Sequence, residues 1–267
     1  MPDTLGSRVR HLAIAWCLVL SAAHLAAAQQ PLAQAPTMGQ FMPRYDFHLS
    51  AAGLATDDDR FSWDTHWGGD FDIVDYVHGR MSFLADYEAV LGRQFRLFDP
   101  TQGNYTLAVA GSIRLGGTEF TGVLHHVSRH LSDRSKRIAI AMNALELRVM
   151  RQFDLGSSTL AVRLEGGPVI ARAFVDYDAM AVGEATLRRP LTPHTGIFGR
   201  VYTDHYGVKK SLHGRSSQHG GRAEAGVRFS GTGGALELFG GYERVVDAYQ
   251  LDLLPQRWAF AGFRLVN

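Results

Sequence analysis

Cysteine is almost missing from this chain of 267 residues, and the single one, Cys17, sits inside an apolar run near the N-terminus. More apolar residues follow it, so lipid attachment there is not expected, and the rest of the chain has no disulfide and no thiolate metal centre. Charge of one sign is lacking too. The 27 basic and 26 acidic residues are spread evenly, with neither the basic block that nucleic acid would call for nor an acidic tail. Beyond the N-terminal run there is no stretch of ~18 consecutive apolar residues, which excludes a helical span. Any passage through a membrane must therefore be made by strands.

The N-terminus carries a targeting pattern. Arg8, Arg10 and His11 precede an apolar run from Leu12 to Leu20, and Ala26, Ala27 and Ala28 stand just before Gln29. Residues 1–28 are expected to be a cleaved signal peptide, and the polar, proline-containing stretch 29–41 a flexible lead-in. No low-complexity linker divides 42–267, which is expected to be one domain.

Alternation dominates that domain. Tyr105, Leu107, Val109, Ile113 and Leu115 oppose Thr106, Ala108, Ser112 and Arg114, and Ala223, Ala225, Val227 and Phe229 oppose Arg222, Glu224 and Arg228. Period two with one apolar and one charged face means strands. Tight turn signals such as Gly116-Gly117 and Gly231-Thr232-Gly233-Gly234 alternate with longer polar connections, the longest at 209–221. Short turns at one end, long loops at the other and aromatics near strand ends predict an all-β, transmembrane antiparallel β-barrel of about twelve strands, ten being the other count. Charges of both signs share the inner face, which predicts a mostly plugged lumen with little conductance. A soluble sandwich would place the apolar face between two sheets instead.

The chemically densest stretch is 118–136. Phe120, Gly122, Leu124, His126, Ser128 and His130 share one face, while Glu119, Thr121, His125, Val127 and Arg129 share the other. If the second face is the lumen, the first meets lipid. Ser128 and His126 lie ~7 Å apart along the strand, a spacing at which a nucleophile and its base can meet through their side chains. His130 and Asp133 are candidate ligand contacts. His126, His130 and Asp133 are adequate transition-metal ligands by type, but imidazoles four residues apart stand ~13 Å from one another, so no metal site is expected. Nor does the sequence imply a cofactor.

The His126-Val127-Ser128 arrangement resembles that of outer-membrane lipid hydrolases, the lipid A deacylases and outer-membrane phospholipases, whose sites lie on the outer wall of a barrel. The resemblance implies His126 as base and Ser128 as nucleophile. Those families follow the serine with Asn and a small residue, where Arg129 and His130 stand here. Glu146, Asn143, Asp133 and Glu88 are open as the orienting third member, with Glu146 taken first. Residues 126–134 also resemble the His-x-Ser-Ser-His-Leu-Gly-Asp-Glu signature of an uncharacterised family of bacterial outer-membrane barrels, which implies an envelope barrel and no activity.

The expected location is the outer membrane of a diderm bacterium, and the expected partner is outer-membrane lipid or lipopolysaccharide. The basic run Lys209, Lys210, His213, Arg215, His219 and Arg222 is a candidate contact for its phosphates. The leading expectation is an envelope barrel in a structural or small-solute role, with a serine-dependent lipid acyl hydrolase as the alternative.

Overall fold

The computed structural model describes residues 37–132, 134, 135 and 138–267. The expected signal peptide and most of the lead-in lie outside the described residues. From residue 40 onward the chain is almost all strand. The first six strands are β1 (Gln40–Ala55), β2 (Trp63–Asp75), β3 (Arg80–Gly92), β4 (Asp99–Leu115), β5 (Thr118–His130) and β6 (Ala141–Leu155). After them come β7 (Ser158–Ala173), β8 (Tyr177–Pro190), β9 (Thr195–Val208), β10 (Gln218–Ser230), β11 (Ala235–Tyr249) and β12 (Leu254–Val266). Each pairs antiparallel with its neighbours in sequence, and β1 pairs with β12 to close a barrel of twelve strands.

The start of β1 and the end of β12 lie with the short connections at 76–79, 116–117, 156–157, 191–194 and 231–234, the turn end. The connections at 56–62, 93–98, 131–140, 174–176, 209–217 and 250–253 make the loop end, where four of the six are longer than any at the turn end. Gly116 and Gly117 have φ of 55° and 78°. A two-residue turn with both residues left-handed matches the twist of its flanking strands and fixes their register. The closing seam is shorter than the rest: β12 meets β1 only from His48 to Ala55, while β2 pairs with β1 from Gln40 onward.

Side-chain exposure decides which face meets what. On β6, Leu145 and Leu147 are 54% and 59% exposed, whereas Glu146 and Arg148 between and beside them are 4% and 5% exposed. Apolar side chains point outward all round the wall, and the charged alternates are enclosed. This is the arrangement of a membrane barrel, and the opposite of a sandwich.

The enclosed charges form a chain. Arg148 meets Glu165 at 2.8 Å and Arg163 meets Glu165 at 3.4 Å. Glu184 then joins Arg163 at 3.2 Å to Arg200 at 3.5 Å, and Arg200 reaches Glu224 at 3.2 Å. Arg264 links Glu224 at 3.0 Å to Glu237 at 2.7 Å. Arg222 adds a branch, binding Glu224 at 3.0 Å and Glu243 at 2.9 Å. On the other side Arg80 holds Asp72 at 3.0 Å and Glu119 at 2.8 Å.

The lumen is not charged throughout. Toward the loop end Ile140, Met142, Met180, Val182, Tyr202 and Val246 form a buried apolar cluster, with Tyr177 and Tyr206 stacked at 4.3 Å. Between this cluster and His66, Asp86, Glu88 and Arg129 lies a cavity of about 120 Å³. At their loop ends β8 and β9 turn Met180, Val182, Tyr202 and Tyr206 inward where the charged alternates stand elsewhere, so this half was not visible in the pattern.

The loop end is laced by arginines. Arg60 joins Asp58 at 2.6 Å to Asp252 at 2.5 Å. After β9 comes a one-turn helix, α1 (Lys210–His213). Beyond it Arg215 turns inward and holds Asp176 and Asp247, each at 2.6 Å. Of the six basic residues expected to face the exterior as one run, Arg215 and Arg222 therefore face the lumen, because buried carboxylates await them there. Burial pushes the Asp176 carboxyl up, but the Arg215 hydrogen bonds outweigh it and hold the group below its usual range.

Three outcomes are expected. Glu224 pairs with Arg200, Arg222 and Arg264 at once, so Glu224→Gln should destabilise the barrel by about 3–5 kcal/mol, read as a lower urea midpoint for the folded band in gels. Planar-bilayer recordings should show no steady conductance, since ion-paired side chains cross the lumen. A carboxyl depressed on folding stabilises above its ordinary pKa, near 4, and loses that contribution as pH falls through the lower folded value. Arg215→Ala should thus speed protease cleavage in 209–217 about tenfold or more at neutral pH, while the unmodified barrel should lose its protection only in acid.

Candidate functional site

The tight Gly116-Gly117 turn sets the β4–β5 register, and through it Ser128 lies opposite Tyr105 and His126 opposite Leu107. On the other side β6 places Ala141 against Ser128 and Asn143 against His126. The lumen face of β5 carries Glu119, Thr121, Val123, His125 and Val127. Hence Leu124, His126, Ser128 and His130 face outward, as the alternation requires.

On that outer wall His126 Nδ1 meets Asn143 Oδ1 at 2.9 Å. An amide oxygen only accepts, so Nδ1 carries the proton and Nε2 keeps its lone pair. This is the tautomer a general base needs. Ser128 Oγ lies 3.3 Å from His130 Nε2. The serine thus stands between two imidazoles on one strand face, with its hydroxyl turned toward His130 and the oriented ring of His126 one step along the strand in the other direction.

The third member is where sequence reasoning and structure part. Glu146 is enclosed in the lumen, and its Oε2 lies 3.0 Å from His125 Nδ1, not on the wall with His126. The physical reason is parity: Glu146 is three positions from Asn143 along β6, so it shares a face with His125. Glu88 is also inside, accepting from Asn104 Nδ2 at 2.7 Å. Asp133 lies outside the described residues. Asn143 is the residue brought to His126. Its signal in the sequence is a lone polar side chain in the outward phase of Leu145, Leu147 and Val149.

An aromatic row runs along the wall to the site. Trp67 meets Tyr87 with ring centroids 5.6 Å apart, Tyr87 meets Tyr105 at 4.9 Å, and Tyr105 meets the His130 ring edge-on at 5.5 Å. Gly103, opposite His130, leaves room for it: a Cβ there would lie 2.6 Å from the Tyr87 hydroxyl. Such rings mark the boundary between acyl chains and headgroups. Ser128, directly opposite Tyr105, stands at that depth.

Neither His126 nor His130 takes part in a metal-type grouping among the described residues. The donors that do converge are Asp64, His66 and Glu88, within 4.8 Å of one another in the lumen. His66 is further engaged with Asp86 at 2.9 Å, and Asp86 with His48 at 2.6 Å.

No family model matches the chain, and no curated protein does. The short likeness at 126–134 is therefore not joined by a likeness over the whole chain. Solved structures do resemble it. Outer membrane phospholipase A from Escherichia coli is 9% identical, with a TM-score of 0.50, over 85% of this chain and 98% of that one. The Salmonella typhi outer membrane phospholipase, described as a dimer with bound calcium, is 9% identical with a TM-score of 0.51, over 92% of this chain and 94% of that one. An active-site mutant of the Escherichia coli protein, an asparagine changed to alanine, gives 10% identity and a TM-score of 0.50 over 90% and 94%. At such identities the likeness shows the fold, and the fold is that of a bacterial outer-membrane β-barrel, whose location the apolar outer wall also requires.

Proposed function

We propose that this barrel is an outer-membrane lipid acyl hydrolase in which Ser128 is the nucleophile, His126 the general base and Asn143 the residue that orients the base. The observation that carries this reading is the contact between His126 and Asn143 on the lipid-facing wall, one step from Ser128 and level with the aromatic row. The Escherichia coli phospholipase likewise has an asparagine in its active site, by the description of its mutant.

The chemistry follows from the parts. A rotation about the Ser128 Cα–Cβ bond turns the hydroxyl from His130 toward His126. Ser128 Oγ then attacks the ester carbonyl of a lipid whose acyl chain lies on the wall, and its proton passes to His126 Nε2. The leaving alkoxide takes that proton, and water, activated by the same imidazole, releases the fatty acid. Asn143 holds the ring throughout. The depth of the site matches where a glycerolipid presents its ester, between acyl chain and headgroup.

A second reading, an envelope barrel without catalysis, draws on the hydrogen bond that Ser128 makes with His130 in place of His126. Acyl release from phospholipid and from lipid A in mixed micelles separates the two. On the hydrolase reading Ser128→Ala and His126→Ala each lower release by at least about 10³-fold, Asn143→Ala by about 10-fold or more, and His130→Ala by less than about threefold. Equal release by the Ser128→Ala variant and the unmodified barrel would remove the hydrolase. Loss on His130→Ala with His126→Ala active would move the base to His130.

A further inference from the structure

Inside the barrel the arginines of β6 to β12 lie against carboxylates. On the outer wall at the loop end of β9 to β12 that pattern breaks. His205 on β9 and His219 on β10 are direct partners across the strands, and so are Arg244 on β11 and Arg257 on β12. Between the two pairs Gly221 stands opposite Arg244 and offers no side chain. All four basic residues lie in the outward phase, because Asp204, Tyr206, Arg222, Glu243 and Trp258 beside them are buried inside. None has a hydrogen bond or ion pair among the described residues; Nε and Nη1 of Arg244 have no acceptor, and the lumen carboxylates Asp204 and Asp247 act on its charge only from a distance. The outward positions around them hold Thr203, Ala223, Tyr242 and Ala259, and among the described residues the carboxylate that reaches this wall is Asp178, which lies over Gly207 at its β8 edge.

Like charges set directly opposite one another repel. Two arginines held so are an arrangement that an anion completes, through the exposed Arg257 and the part of the Arg244 guanidinium that is not covered. Guanidinium donors match phosphate oxygens bidentately. Each basic pair spans one strand spacing, and the two pairs are centred about two spacings apart, roughly 10 Å. The wall below them is apolar, with Tyr242 and Leu238 exposed. An anion bound here therefore carries acyl chains. Lys209 and Lys210, exposed beside α1, add positive charge above.

We infer that the loop-end wall of β9 to β12 binds a lipid whose headgroup bears two phosphates, of the lipid A kind, with Arg244 and Arg257 on one phosphate and His205 and His219 on the other. The site is separate from Ser128: β5 and β11 lie six strands apart round the ring of twelve, on opposite sides of the barrel. It stands whether or not Ser128 is a nucleophile.

Native mass spectrometry of the detergent-purified barrel tests it, with diphosphoryl lipid A, monophosphoryl lipid A, phosphatidylglycerol and inorganic phosphate as probes. Diphosphoryl lipid A should bind best. The variant R244Q/R257Q should bind it at least tenfold more weakly, and H205Q/H219Q should lower the preference for two phosphates over one. Arg189→Gln, on the outward face at the turn end, should change nothing. A further readout sets binding apart from a structural role: removing the repelling pair should raise the unfolding temperature of R244Q/R257Q in lipid-free detergent. Should the double variant fold poorly, Arg257→Gln alone keeps the test, since the exposed Arg257 has no hydrogen bond or ion pair among the described residues. Undiminished lipid A binding by R244Q/R257Q overturns the site. Equal binding of phosphatidylglycerol overturns the two-phosphate assignment, and displacement of lipid A by inorganic phosphate at millimolar concentration overturns the role of the lipid.

Discussion

The alternating chain of arginine and glutamate across the lumen is the constraint from which the rest follows. Each of those ions is costly to enclose, and each is compensated only while its neighbours stay in place. Glu224 illustrates this: Arg200, Arg222 and Arg264, from three different strands, converge on it. Strand positions are thereby tied together from inside, beyond what the backbone ladder does. Once the charged alternates are committed to the interior, the residues between them have no place but the outer wall.

That commitment creates both outer-wall features. His126, Ser128 and Asn143 are polar side chains in a mostly apolar outward phase, and so are Arg244 and Arg257 on the far side. Polar groups facing a bilayer are tolerated near its boundary and costly at its centre. All of them sit at the loop end, where the aromatic row of Trp67, Tyr87 and Tyr105 marks the boundary. The barrel thus presents two different edges to one leaflet, an aromatic edge with a serine between histidines and a basic edge of two histidines and two arginines.

Most of the architecture was legible because period two survives any uncertainty about strand ends. About twelve strands followed from alternation together with the turn signals, and the outward direction of His126, Ser128 and His130 followed from parity once Glu119, Thr121 and Arg129 were assigned to the lumen. Parity does not give register. The connection at 131–140 is long, so nothing in the sequence says which residue of β6 arrives opposite His126, and a carboxylate, Glu146, was the natural orienter to expect. The structure gives Glu146 to His125 and Asn143 to His126. The inward turn of Arg215 was hidden for a like reason, since its carboxylate partners Asp176 and Asp247 come from remote strands and loops. The apolar half of the lumen escaped because Tyr202 and Tyr206 face inward while Thr203 and His205 face outward on the same strand, the reverse of the pattern elsewhere.

The seam between β1 and β12 joins residues near opposite ends of the chain over only a short run, from His48 to Ala55. Bringing such distant segments together carries the greatest loss of chain freedom of any pairing here. Assembly therefore finishes at this seam, with the other eleven pairings already zipped into a curled sheet. The same line is where the cylinder parts first when it is pulled open sideways, exposing the backbone of β1 and β12 to whatever strand or lipid is at hand.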